Sequence, residues 1–134
     1  MSTNSNDQGR AYDYAWMTAL YKKLAVVRKT CVVANSSLDA NKRAWNAISK
    51  DKRELYALSA DAAVDMVLGL EPLMKENQGT LFLAFQKDEA GENGDVRDIV
   101  IYREDIPWEV GLSIKHNHAA VKHSRLSHVL DFGK

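Results

Sequence analysis

The first part of the chain carries hydrophobic residues at the spacing of an amphipathic helix. This pattern predicts a helix over about Arg10–Lys29. A short β-prone link, "TCVVAN", follows. A second helix is predicted over Ser36–Ser49, with Ser36 or Ser37 as its N-cap. Ser49 is then expected to cap a longer helix that ends before Pro72, because proline disfavours helix at the preceding residue.

The second part of the chain changes to the alternating pattern of β-strands. Strands are predicted over Leu81–Lys87, Asp98–Arg103 and Trp108–Lys115, and their short connections predict an antiparallel meander. The segment His116–Leu130 is predicted as a helix with Asn117 as its N-cap. Helices, three strands and another helix together indicate an α+β fold.

Composition limits the classes of protein that need consideration. The chain has 134 residues and a formal net charge of zero, so it forms one domain or part of one, and bulk charge does not favour nucleic acid. Cys31 is the single cysteine, which excludes an intrachain disulfide and a cysteine-rich zinc site. Residues 1–9 are polar and are predicted to form a disordered lead-in without a secretory signal. The domain is predicted over residues 10–134, and a cytoplasmic location is expected.

The last two predicted strands bring chemically useful residues to one end of a hairpin. If the link between them is tight, Asp98 falls opposite Ser113, within two residues, and Lys115 lies at the same end. A carboxylate there can bind Mg²⁺, while a lysine can stabilise charge that develops on a phosphate. The alternative is an ordinary surface ion pair.

This arrangement resembles the core of the PD-(D/E)xK nucleases, in which an aspartate opens the second strand and an acid-x-Lys ends the third. The string Asp98-Ile99-Val100-Ile101 matches the first element, and Lys115 matches the lysine. Ser113 occupies the position of the second acid, so a further metal ligand is expected from Asp95 or Asp13. The resemblance also implies a fourth strand after the helix, and that strand is expected to be missing.

Longer strings resemble the HaeIII family of type II restriction endonucleases. They are "QGRAYDYA" at 8–15, "GDVRDI" at 94–99, "WEVGLSIKHNHAAVKHSRLS" at 108–127 and the terminal "DFGK". The resemblance implies a Mg²⁺-dependent enzyme that cuts double-stranded DNA at a short palindrome, GGCC. It also implies a homodimer in the full-length form and a cognate DNA methyltransferase. Family members are longer, so this chain is expected to be an N-terminal portion of such an enzyme.

All four histidines of the chain lie between residues 116 and 128, which raises the alternative of a zinc site. The spacing of five residues from His118 to His123 argues against zinc, because ligands on a helix recur at three or four positions. His118, Lys122 and Arg125 would instead share one helical face that contacts DNA phosphates. His116 and Asn117 would lie at the start of this helix, where an anion is favoured. A solvated basic face is the alternative.

Three functions remain open from the sequence. The first is a restriction endonuclease in which Asp98 binds Mg²⁺, Lys115 orients the attacking water and Ser113 hydrogen-bonds water or phosphate. The second is a catalytically inactive DNA-binding fragment, which the serine at position 113 keeps open. The third is a repair nuclease that recognises DNA structure instead of sequence.

Overall fold

The computed structural model describes five segments of the chain: residues 5–70, 79–86, 98–114, 119–123 and 129–131. Three helices precede most of a six-stranded sheet, so the fold is α+β, as predicted. The helices are α1 (Ser5–Ala25), α2 (Ser36–Ala47) and α3 (Lys50–Leu70). No helix among the described residues is long and apolar enough to cross a membrane.

Side-chain caps set where the second and third helices begin. Asn35, in an extended conformation, accepts a hydrogen bond from the Leu38 amide at 2.8 Å, so it is the N-cap of α2. The prediction of Ser36 or Ser37 at this position was therefore wrong by one or two residues. The predicted cap at Ser49 is confirmed, because its hydroxyl accepts from the Lys52 amide at 3.2 Å.

The six strands lie in the sheet in the same order as in the chain. The β1–β2 pair is parallel, and every later pair is antiparallel, so the predicted meander is confirmed for β2, β3 and β4. The strands are β1 (Thr30–Val32), β2 (Leu81–Phe85), β3 (Ile99–Arg103), β4 (Glu109–Ile114), β5 (Ala119–His123) and β6 (Val129–Asp131).

The predicted helix over His116–Leu130 is wrong, since β5 and β6 occupy its described parts. β5 pairs with β4 over five residues, from Ile114 opposite Ala119 to Val110 opposite His123. Hydrogen bonds to the edge of β4 outweigh the weak helical preference of the local sequence, because tertiary context overrides intrinsic propensity. The sheet therefore continues beyond β4, and the expectation of a core that stops at three strands was wrong as well.

The helices cover one face of the sheet. Alternate residues of β2, β3 and β4, such as Leu83, Ile101 and Leu112, are fully buried in one cluster with Trp16 of α1 and Val64 of α3. This alternation follows from the two-residue period of a strand. The packing fixes α1 against the sheet, which determines what its side chains reach at the sheet's end.

Candidate functional site

Asp98 stands immediately before β3, at the end of the β3–β4 hairpin. Its backbone amide donates to the Leu112 carbonyl at 2.7 Å, and the register of Ile99 opposite Leu112 puts Asp98 across from Ser113. The predicted register is therefore confirmed. The carboxylate turns toward the end of β4, where its Oδ2 accepts a hydrogen bond from the Ile114 amide at 2.6 Å.

The second carboxyl group of this site belongs to Asp13 on α1. The pKa of Asp13 is raised from 3.8 to about 8, chiefly by burial and then by the negative charge of Asp98, while the positive charge of Arg10 acts in the opposite direction. The two carboxyl groups are therefore close enough to repel each other in a poorly solvated place. Asp13 and Asp98 are named the acid pair below. Asp13 was one of the predicted metal ligands, and the fold brings it to Asp98.

The acid pair fits the chemistry of a hard divalent cation. Mg²⁺ is usually held by one or two carboxylates and keeps several waters, and a cation would relieve the repulsion between these two groups. Among the described residues, no cluster of three or more His, Cys, Asp or Glu side chains could hold a metal ion. The remaining ligands would have to be water, oxygen atoms of the substrate or residues outside the described segments.

Ser113 lies opposite Asp98 near the end of β4, and it is 8% exposed. Its hydroxyl group can donate and accept hydrogen bonds, but it adds no negative charge beside the acid pair. Position 113 therefore does not supply the carboxylate that the nuclease pattern expects, whereas Asp13 on α1 lies where the charge of Asp98 acts on it.

The other predicted site residues divide into two groups. Lys122 and His123 lie in β5 instead of a helix, and the structure describes them by their backbone. The predicted helical face of His118, Lys122 and Arg125 is therefore wrong, because helical spacing does not apply within a strand. The remaining residues lie outside the described segments: Asp95, Lys115, His116, Asn117, His118 and Arg125.

Two polar residues that sequence reasoning did not select complete the surroundings of the acid pair. The Nη1 atom of Arg10 on α1 donates to Oδ1 of Asn41 on α2 at 3.2 Å, and Asn41 is 4% exposed. Ser37, Asn41 and Ala44 form the buried stripe of α2, and the sequence shows only that they share helical spacing, not that this face is buried. A buried polar side chain at a core-facing position generally has a specific partner.

The N-terminal end of α2 is also fastened to the sheet near Asp98. The Asn35 side-chain amide donates to the Phe85 carbonyl, and the Ser37 hydroxyl donates to the Gln86 carbonyl, both at 3.0 Å. The Gln86 amide in turn donates to the Asp98 carbonyl at 3.1 Å. Helix α2 thus connects to the surroundings of both acids, through Arg10 on one side and through Gln86 on the other.

Comparison with known proteins shows the family to which this chain belongs. The family model described as "HaeIII restriction endonuclease" matches residues 9–134. The chain belongs to the HaeIII restriction endonuclease family. It is 45% identical over 134 residues to the type II restriction enzyme HaeIII of Haemophilus aegyptius. That alignment covers the whole chain and 42% of the relative's length. No solved structure matches the chain.

Membership of the HaeIII restriction endonuclease family confirms the resemblance that the four sequence strings carried. The matched range includes the first string almost completely and the other three in full. Asp13 and Asp98 come from two of these strings, "QGRAYDYA" and "GDVRDI", which are separated by more than 80 residues of sequence. The fold joins them at one end of the sheet.

Proposed function

We propose that this chain carries the metal site of a type II restriction endonuclease that hydrolyses phosphodiester bonds of double-stranded DNA. The meeting of Asp13 with Asp98 at the hairpin end carries this proposal, because it gives a hard cation two carboxylates in a poorly solvated place. The relative's name, a type II restriction enzyme, supports the reaction class. A short palindrome, GGCC, is the proposed target.

Each residue of the site has a proposed role. The acid pair would hold Mg²⁺, with Asp95 as a further candidate ligand. When bound, the ion would stabilise negative charge on the phosphate and make a bound water more acidic. Lys115 would orient the attacking water and stabilise charge on the phosphate, as the nuclease pattern implies. Ser113 would hydrogen-bond water or a phosphate oxygen.

The order of elements supports a PD-(D/E)xK-like core in part. Asp98 precedes β3, and Ser113 lies near the end of the antiparallel neighbour β4, as that pattern requires. In place of the expected helix after β4, the chain continues with β5. The proposal therefore rests on the geometry of the hairpin end and on the acid contributed by α1, not on a full match of topology.

The cellular setting of the activity is part of the same proposal. A palindromic target is matched by a two-fold symmetric protein, so a homodimer is proposed for the full-length form. A cognate DNA methyltransferase would protect the host's own sites, and the proposed location is the cytoplasm. The DNA contacts proposed for His116, Asn117, His118, Lys122, His123 and Arg125 no longer depend on a shared helix.

A catalytically inactive DNA-binding fragment is the second candidate function. The observation that favours it is the buried hydroxyl of Ser113 at the position where the nuclease pattern expects an acid. A site with a single carboxylate would hold Mg²⁺ weakly. The presence of Asp13 argues against this candidate, because it restores the number of carboxylates to two.

The decisive experiment is digestion of a plasmid with Mg²⁺, comparing the chain with its Asp98→Asn variant. Asparagine retains an oxygen that can accept the Ile114 amide, so the hairpin is expected to fold while the charge is lost. Cleavage at discrete GGCC sites is expected, with a decrease of about 10²-fold or more in the variant. The matched control is Asp105→Asn, which removes a carboxylate at the other end of the hairpin and should leave cleavage intact.

Three other results would contradict the proposal. DNA binding without cleavage under all divalent cations would favour the inactive fragment. Cleavage confined to branched substrates would favour a structure-specific repair nuclease. Equal cleavage by the unsubstituted chain and the Asp98→Asn variant would place the metal site elsewhere.

A further inference from the structure

Asp98 lies just beyond the last residue pair that joins β2 to β3. That last pair is Phe85 opposite Ile99. One further backbone hydrogen bond, from the Gln86 amide to the Asp98 carbonyl at 3.1 Å, extends the ladder. Strand ends open locally more easily than the centre of a sheet. The position of the Asp98 backbone on this side therefore depends on what holds Gln86 in place.

Two side chains at the start of α2 hold this end of β2. The Asn35 side-chain amide donates to the Phe85 carbonyl at 3.0 Å. The Ser37 hydroxyl donates to the Gln86 carbonyl at the same distance, and Ser37 is 6% exposed, so this hydrogen bond is shielded from water. Because Asn35 also caps α2 through the Leu38 amide, one side chain fixes both the helix start and the strand end.

The β4 side of Asp98 supplies further constraints. Its amide donates to the Leu112 carbonyl at 2.7 Å, and its Oδ2 accepts from the Ile114 amide at 2.6 Å. Contacts with both neighbouring strands therefore determine where the carboxylate points. Residues that orient a metal ligand commonly change the affinity for the metal, although they do not touch the ion.

We propose that Ser37 and Asn35 are positioning residues, which orient the Asp98 carboxylate for a divalent cation by holding the end of β2. Ser37 acts through Gln86, and Asn35 acts through Phe85. This inference rests on the proposed function, because the affected step is the binding of the cation by Asp98. Neither residue is assigned to the reaction itself.

The rival role for these two side chains is purely structural, as a tie between α2 and the sheet. Both roles predict that loss of the Ser37 hydroxyl lowers the melting temperature. They differ in what happens at Asp98. Only positioning predicts that the hydrogen bond from the Ile114 amide to the carboxylate weakens and that Mg²⁺ binds more weakly.

The test compares the chain with its Ser37→Ala variant, which is expected to melt about 3–6 °C lower. In EDTA the Ile114 amide of the variant should exchange with solvent deuterium about 10-fold faster, because the carboxylate holds it less firmly. Isothermal titration should show Mg²⁺ binding about 10-fold more weakly, as expected for a residue that orients a metal ligand. Ser37→Thr keeps a hydroxyl donor and should restore both values.

Ser49→Ala is the matched control. It makes the same chemical change at the start of α3, where the Ser49 hydroxyl accepts from the Lys52 amide at 3.2 Å. Its melting temperature should decrease by a similar amount. The exchange of the Ile114 amide and the affinity for Mg²⁺ should nevertheless stay close to those of the unsubstituted chain, which separates general destabilisation from displacement of Asp98.

Asn35→Asp tests the second contact and provides another route if Ser37→Ala does not fold. Aspartate keeps the acceptor that caps α2, but it has no amide to donate to the Phe85 carbonyl. Its added negative charge would by itself favour a cation. Weaker binding of Mg²⁺ by this variant would therefore identify displacement of Asp98 as the cause.

The Asp98→Asn variant separates failure of this inference from failure of the metal site. If Asp98→Asn weakens Mg²⁺ binding, while Ser37→Ala and Asn35→Asp change neither Mg²⁺ affinity nor Ile114 exchange, the positioning role alone is overturned. If Asp98→Asn binds Mg²⁺ as tightly as the unsubstituted chain, the proposed metal site fails and this inference fails with it.

Discussion

The two ends of the β3–β4 hairpin treat charge in opposite ways. At one end, two carboxyl groups meet, and the pKa of Asp13 is raised because burial and Asp98 both disfavour its ionised form. At the other end, Asp105 pairs with Arg103, and this guanidinium group lowers the pKa of the Asp105 carboxyl. One end of the hairpin therefore brings two acidic groups together, whereas at the other end an acid is paired with a base. The end with Arg103 and Asp105 is named the balanced end below.

The balanced end is closed by contacts within the chain. Both carboxylate oxygens of Asp105 accept from Arg103, one of them from Nε at 2.9 Å. Arg28, which is buried, donates to the Gly79 carbonyl at 3.0 Å, and its charge also lowers the pKa of Asp105. The Asp105 carboxylate thus has two donors from the planar guanidinium group of Arg103, which leaves little for a ligand to improve.

The difference supports the end with the acid pair as the proposed functional end of the hairpin. Two carboxyl groups held together in a poorly solvated place can both ionise only at a cost in free energy, and folded proteins often keep such arrangements where a ligand relieves that cost. The acid pair meets this description, because a cation would improve it. The Arg103–Asp105 end does not, because a cation would compete with contacts that are already made.

The largest expected effect comes from Asp13→Asn in EDTA. Because folding raises the pKa of Asp13 to about 8, the carboxyl stays protonated in the folded state while the unfolded chain ionises it above about pH 4. Stability is therefore lost as pH rises from about 4 to 8. The variant lacks this penalty and should be more stable at pH 8, by an amount on the order of a few kcal/mol.

Urea unfolding at pH 4 and pH 8 measures this difference directly. At pH 4 the unsubstituted chain and the Asp13→Asn variant should unfold with similar free energies. Excess Mg²⁺ at pH 8 should narrow the gap, because the acid pair then gains its cation. If the difference in unfolding free energy between the variant and the unsubstituted chain does not change with pH, the raised pKa of Asp13 is contradicted.

The hairpin end was predictable from sequence because the strand register follows from counting residues on either side of a tight turn. The alternating residues of β4 and the tight link before it fix the register, and that register sets Asp98 opposite Ser113. The three helices were predictable for the same reason, but α1 spans Ser5–Ala25 instead of the predicted Arg10–Lys29, and the cap of α2 is Asn35. Period and turn chemistry act over a few residues and are visible in the chain.

The rest of the site depends on contacts between distant residues. Asp13 and Asp98 meet because α1 packs on the sheet, and no local pattern encodes that meeting. The Arg10–Asn41 bond joins two helices in the same way. The error at β5 has the same origin, because pairing with β4 decides its conformation, and the Ala-rich local sequence is compatible with a helix.

Gly79→Ala should give the second largest effect, and it concerns the balanced end alone. Gly79 has φ of 66°, and an added Cβ would lie 2.7 Å from the Asp105 Oδ1 atom. The variant is expected to lose about 1–3 kcal/mol of stability while its response to Mg²⁺ stays unchanged. Denaturation in EDTA and in Mg²⁺ measures both quantities.

Gly69→Ala is the matched control for that substitution. Gly69 lies in α3, and an added Cβ would meet nothing within 4 Å. This variant should be more stable by about 0.5–1 kcal/mol, since alanine is a better helix former than glycine. A similar loss in both glycine variants would mean that the backbone conformation at Gly79 does not matter.

The smallest expected effect comes from Asp105→Asn. The sign of its change in stability tests the contrast between the two ends of the hairpin. Arg103 lowers the pKa of Asp105, so the ionised carboxylate stabilises the fold above pH 4, and this contribution is lost as pH falls through the lowered pKa. The variant should be slightly less stable at neutral pH, because the Asp105 side chain is 44% exposed and solvent screens the pair. Melting curves at low and high salt should converge, since salt screens an exposed carboxylate. Asp13→Asn should stabilise the chain at neutral pH and Asp105→Asn should destabilise it, so effects of equal sign would break the contrast between the two ends.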